Sequence, residues 1–260
     1  MKHKLKYIFV ALSTITVSLN AQKIGENHLG AGIGFGEVDF TLSGSIKEAG
    51  VTVISGPVSI KPSGFSYALT GNYNIYEDAE MNYGVDIPFL YIGSPGMDES
   101  VDGDKFEVEV NTFQLMARPY YKIDKLSLYL NLGLSYYSVD TSIEELGKGD
   151  VTAFSYGLGF EYDFTESLRF SPSVYFSEAK LPSIFLPLTT ALFDLFGDVD
   201  LMNVVLPFHY SLSDSIDLTL SYILSDVDNG KVSGSVEGVT GDITLGSSVS
   251  YWLLGASMKF

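Results

Sequence analysis

Eight residues able to carry charge, Asp86, Arg118, Lys122, Glu161, Asp163, Arg169, His209 and Asp217, all fall on the hydrophilic side of segments whose other side is apolar. Opposite charges recur at matched positions. Arg169 follows a short turn after Glu161 and Asp163 and should face one of them. Asp86 stands near the start of its segment and Arg118 near the end of the next, so these two should be neighbours at similar depth. Such a set can do one of two things. Lining a bore, it forms a constriction that selects ions. Packed together, it fills a narrow interior with a polar core.

Catalysis has little to work with. Outside the first 21 residues the only histidines are His28 and His209, and neither has a Ser or Asp partner placed to complete a nucleophile and base. No enzymatic role is expected. The chain has no Cys, which excludes disulfides, thiol catalysis and Cys-ligated metals. The acid run from Met97 to Asp104 offers the oxygens a divalent cation wants, but its spacing is not that of an EF-hand and it reads more simply as a solvated loop. No metal or cofactor is assigned. A formal charge of −17 argues against nucleic acid, whose phosphates need Lys and Arg.

One connection stands apart. Between residues 181 and 201, Ile184, Phe185, Leu188, Leu192, Phe193 and Phe196 are too apolar for a free loop, and Pro182 and Pro187 punctuate it. From Leu188 to Phe196 the spacing suits a short amphipathic helix. It is a candidate hatch over an opening, or a segment lying on lipid headgroups. A greasy hatch would suit passage of a hydrophobic solute.

The elements that hold these residues are strands. Lys2, Lys4 and Lys6, then an apolar run from Tyr7 to Leu19 and the small residue Ala21, read as an export signal over residues 1–21, leaving 22–260 as the working chain. The apolar run is shorter than the ~20 residues a spanning helix needs, and no later stretch reaches that length. Beyond it, apolar and polar residues alternate with period two, the mark of a strand with unlike faces. Ten strands are expected, at about 28–42, 64–76, 81–92, 108–122, 126–139, 151–164, 167–177, 203–212, 216–226 and 248–260, with eight as the alternative count. In the first the apolar phase slips to Val38, Phe40 and Leu42, which predicts a β-bulge near Gly36. Long and short connections alternate strictly. Tyr76, Tyr120, Tyr129, Tyr137, Tyr175 and Tyr251 are placed inside as space-fillers. Tyr73, Tyr83, Tyr121, Tyr162 and Phe260 are placed outside at one end, with Phe65, Tyr91, Phe113, Tyr136, Phe154 and Trp252 outside at the other, a two-girdle pattern.

The last residues, 248–260, alternate Trp252, Leu254, Ala256, Met258 and Phe260 against Tyr251, Leu253, Gly255, Ser257 and Lys259. This stretch resembles the terminal strand of bacterial outer-membrane β-barrels, which ends in Phe. The resemblance implies an all-β fold: a single up-and-down antiparallel transmembrane β-barrel with short periplasmic turns and long extracellular loops. It also implies export to the outer membrane, outer-membrane lipids as surroundings, and assembly machinery that engages the strand ending at Phe260. A soluble barrel would need the opposite orientation, with the Leu ladder of residues 126–134 in a dry middle. Two roles follow: a porin-like barrel or transporter of a small or hydrophobic solute; and, alternatively, a structural or surface-binding barrel with a filled interior that acts through its extracellular loops.

Overall fold

The structure, a computed structural model, describes residues 23–48, 51–55, 58–101, 104–142, 148–179, 199–236 and 239–260. The expected export signal and every residue of the candidate hatch (Ile184, Phe185, Leu188, Leu192, Phe193 and Phe196) lie outside the described residues.

Thirteen strand segments follow in chain order: β1 (His28–Glu48), β2 (Val51–Ser55), β3 (Val58–Ile60), β4 (Ser63–Asp78), β5 (Tyr83–Val101), β6 (Asp104–Ile123), β7 (Leu126–Thr141), β8 (Lys148–Asp163), β9 (Leu168–Phe170), β10 (Ser173–Ala179), β11 (Val199–Ser213), β12 (Ile216–Val236) and β13 (Val239–Lys259). They make ten staves of one antiparallel barrel. β9 and β10 are halves of a single stave, both lying between β8 and β11 in unbroken register. The break falls at Pro172, which has no N–H to give to a ladder. β2, β3 and β4 are the interrupted return of β1, each antiparallel to it. The first and last staves close the ring, from His28↔Lys259 to Glu48↔Val239. Closure leaves no unpaired edge, the condition for a sheet to stand in hydrocarbon.

The orientation of the faces follows the alternation. Leu128, Leu130, Leu132 and Leu134 point outward and are 44–57% exposed to the surroundings, whereas Tyr129, Asn131 and Ser135 on the opposite face are at most 4% exposed. The short turns need sharp backbone. Asn82 and Asp124 both take positive φ, 58° and 54°, which these two residue types tolerate best after glycine.

Three expectations are corrected. No bulge occurs at Gly36, because β1 passes it in unbroken register with both neighbours (Gly36↔Tyr251, Gly36↔Gly64). Val38 instead points inward, opposite Val249, and is 8% exposed. The apparent phase slip is the interior itself turning apolar at that height. Register shifts fall elsewhere; one of them, between Asn74 and Tyr76, turns Tyr76, expected inside, outward against Tyr83. Finally, most of the long connections are extended ladder. β5 and β6 stay paired up to Val101↔Asp104, and β12 and β13 up to Val236↔Val239. Val232, Val236, Val239, Ile243 and Thr244 in one hairpin, and Val101, Phe106 and Val108 in the other, supply the β-propensity that continues them.

The lipid-facing position of Leu130 generates a test. Leu130→Arg should destabilise the barrel by about 2–4 kcal/mol, and Ile123→Arg at the periplasmic edge by about 0–1 kcal/mol, in reversible unfolding from lipid vesicles. Equal costs at the two depths would contradict the assigned span.

Candidate functional site: the barrel interior and its periplasmic stopper

Inside the barrel two layers are stacked. The extracellular half is dry. Val38, Leu90, Ile92, Val205, Ile223 and Leu253 belong to one apolar cluster, each between 0 and 8% exposed. Tyr137, Tyr175 and Tyr251 add bulk to it. Short hydroxyl chains cross between strands at this level: Ser66 to Ser94 at 2.7 Å, and Ser135 to Ser155 to Ser177 at 2.6 and 2.7 Å. Each serine meets a neighbour's hydroxyl, so a polar group is buried with a partner rather than alone.

The periplasmic half is polar and holds most of the expected residues. Arg169, at the start of its stave, donates from Nη2 to Asp217 at 2.7 Å, and its Nε lies 3.6 Å from Glu161. All three are nearly inaccessible, at 4, 0 and 3% exposure. Glu161 also accepts from the Ser171 hydroxyl at 2.9 Å. Asp163 lies opposite Arg169 in register but remains half-buried at the rim, because the guanidinium turns inward to the other two carboxyls. His209 is fully buried with Nδ1 3.0 Å from the Thr219 hydroxyl. Lys122 sits at the rim, 2.8 Å from Glu77 and over the ring of Tyr120.

Asp86 and Arg118 are cross-strand partners, as expected, but they do not bond each other. Arg118 donates from Nε to Asn131 at 3.1 Å and lies 4.9 Å from the centre of the Tyr129 ring. Asp86 is taken by Asn74, which donates from Nδ2 at 2.9 Å, and by a backbone N–H from a part of the chain that the sequence reading overlooked. Tyr129 reaches its place because Gly159 stands across from it; a Cβ there would come 2.6 Å from the ring.

The overlooked part is the segment Lys23–Asn27, just before β1. It folds up into the periplasmic mouth as a stopper. Ile24 is 2% exposed and packs with Tyr120 and Tyr129. The N–H of Ile24 donates to Glu161 at 3.4 Å and that of Gly25 to Asp86 at 3.0 Å. Asn72 donates to the Glu26 carbonyl, and Asn27 accepts from the Asn74 N–H. Gly25 turns the segment at φ +80°, and a Cβ there would meet Lys122 Nζ at 2.7 Å and Tyr120 Oη at 2.9 Å. Glu26 gathers Lys23 (3.3 Å), Lys259 (3.2 Å) and His28 (3.4 Å). Lys259 in turn stands 3.8 Å from Asp217, which ties the stopper to the buried network. The only sequence signals were an apolar Ile and a Gly between a lysine and an acid, too short for any periodicity.

A closed ten-stranded barrel with a lipid-facing apolar exterior and a polar and apolar interior defines an integral outer-membrane β-barrel protein. The family described as outer membrane protein beta-barrel domain matches residues 8–176, and the chain belongs to it. The protein is thus a multi-pass barrel of the bacterial outer membrane. Among solved structures it is similar to the outer membrane protease OmpT of Escherichia coli, at 14% identity over 94% of this chain and 99% of that one, with a TM-score of 0.51. It is also similar to a FadL homologue of Pseudomonas aeruginosa (9% identity, 91% of each chain, TM-score 0.40). A third is OprG of the same organism (14% identity, 91% and 97%, TM-score 0.38). At these identities the likeness concerns the fold alone. No curated protein matches the chain.

Two measurements probe the interior. Arg169→Met would leave the Asp217 and Glu161 carboxyls buried without their cation, and should cost about 3–5 kcal/mol in unfolding from lipid. Adding Asp217→Asn should recover part of that loss; no recovery would mean that the pair is not the source. The second concerns Glu26, whose carboxyl burial alone would raise. The His28 hydrogen bond and the charges of Lys23 and Lys259 outweigh that and hold it far below its ordinary 4.5. A depressed folded-state value stabilises fully above the ordinary value and less as pH falls toward the folded one. The stability difference between the unaltered chain and Glu26→Gln should therefore be constant above pH 4.5 and shrink below it. A difference independent of pH would argue against this charge cluster.

Proposed function

We propose that this protein is a closed outer-membrane barrel that acts through the surface it displays outside the cell, as a structural or surface-binding barrel, and not as a standing pore or an enzyme. The observation that carries this reading is the burial of the interior. Asp86, Arg118, Asp217 and His209 below, and Leu90, Val205, Ile223 and Tyr251 above, are each at most 3% exposed. A water-filled bore would leave them wet.

The outer side supports the same reading. About ten residues suffice for a tilted strand to cross a bilayer. β12, β13 and β1 have 21 residues each, and β5 and β6 have 19 and 20. With the return β2–β3–β4 they form six adjacent staves whose pairing runs well past the membrane, whereas β7 and β8 have 16 residues each. The raised stretches 93–109 and 225–248 carry ten acids against two bases, so a partner with a cationic face is the complementary one. The outward residues contact outer-membrane lipids, and the strand ending at Phe260 is the segment offered to the assembly machinery.

Transport of a small solute keeps one observation in its favour. The periplasmic closure is a five-residue segment held by side-chain contacts, outside the ladder.

Planar-bilayer recording separates the readings. Purified protein should insert without conductance steps, and vesicles containing it should show no swelling in small sugars. Stable, repeated current steps would overturn the closed-barrel reading.

A further inference from the structure

We propose that the periplasmic mouth is a peptide-binding site which the chain fills with its own residues Lys23–Asn27. Its ligand class is a short turn-forming peptide carrying a branched apolar residue, then glycine, then an acid.

The segment makes the contacts of a bound ligand. It adds no strand to the barrel, and groups from many staves converge on it. Tyr120 of β6 and Tyr129 of β7 form an aromatic slot for the Ile24 side chain. Asp86 of β5 and Glu161 of β8 accept the two successive backbone N–H groups of Gly25 and Ile24. Asn72 of β4 donates to the next carbonyl, that of Glu26, at 2.9 Å. Lys259 of β13 and His28 of β1 face the acid. Main-chain bonds give such a site affinity, and side-chain pockets give it selectivity.

Each position of the ligand has a separate reason. The slot between two tyrosines takes an apolar residue and excludes a charged one, because a charge there would be buried unpaired. The next residue must be glycine, since φ is +80° and a Cβ would collide with Tyr120 and Lys122. The third carries the acid that meets Lys259. When the segment leaves, Asp86 and Glu161 lose their backbone donors and the tyrosines lose their apolar partner. The vacated mouth then presents the same pattern to any peptide that matches it.

The chain has no Cys, so Ile24→Cys in the full-length protein creates a single thiol at the heart of the contact. The probe is the acetylated, amidated pentapeptide Lys-Ile-Gly-Glu-Asn, added in excess to protein in lipid while maleimide labelling is followed. The thiol should label slowly alone and faster with the peptide, and peptides carrying the Ile24→Asp or Gly25→Ala change should not accelerate it. Equal acceleration by all three peptides, or by none, overturns the proposal. A second variant guards against a weakened stopper: full-length Ile24→Asp should bind the fluorescent pentapeptide, while the unaltered chain, already occupied, should bind it less. Equal binding to both, or binding to neither, also overturns it. Neither readout depends on whether the barrel conducts.

Discussion

Backbone amides have no water to bond inside a bilayer, and that constraint shapes everything else here. Each N–H and C=O must find a partner within the sheet, so the sheet must meet itself. The meeting of β1 with β13, twenty-one consecutive pairs long, is where this chain satisfies it. Once the ring is closed, every second side chain is committed to the enclosed side whatever its chemistry. The interior therefore has to be solved as a packing problem, with Tyr129 over Gly159 and Tyr175 over Gly157 as local solutions.

The solution is different at the two ends. Near the extracellular side the enclosed residues are aliphatic and aromatic, and the barrel there is filled as a soluble protein's core is filled. Near the periplasm they are charged, and the charges are arranged so that one guanidinium serves two carboxyls. The segment before β1 completes this lower half by supplying two N–H donors and an isoleucine from outside the wall.

How much of this could be read from the sequence depends on periodicity. The ten staves and the inward or outward sense of nearly every membrane-crossing residue were legible, because period-two alternation between lipid and interior is strong in strands such as residues 126–136. The count held because short turns such as Asp124–Lys125 punctuate it. What failed had no period to detect. Val38 lies inside among apolar residues, so an apolar residue no longer signals an outward face at that height. The long hairpin extensions are not wedged between lipid and a core, so their sequences lost the alternation while keeping the pairing. Of the interior network, the Arg169–Glu161 proximity was readable from one short turn, but the shorter bond to Asp217 joins staves distant in sequence. The stopper was invisible because its partners are recruited from across the ring.

The unequal height of the staves has a consequence for the neighbourhood of the protein. A barrel with level rims looks the same to anything diffusing past in the plane of the membrane. This one has a tall front, from β12 round to β6, and a lower hairpin at β7 and β8. A molecule bound at the surface would lean against that wall and stay open to approach over β7 and β8. Contacts with adjacent proteins would then be directional, and a crowded leaflet could align such barrels like chairs facing one way.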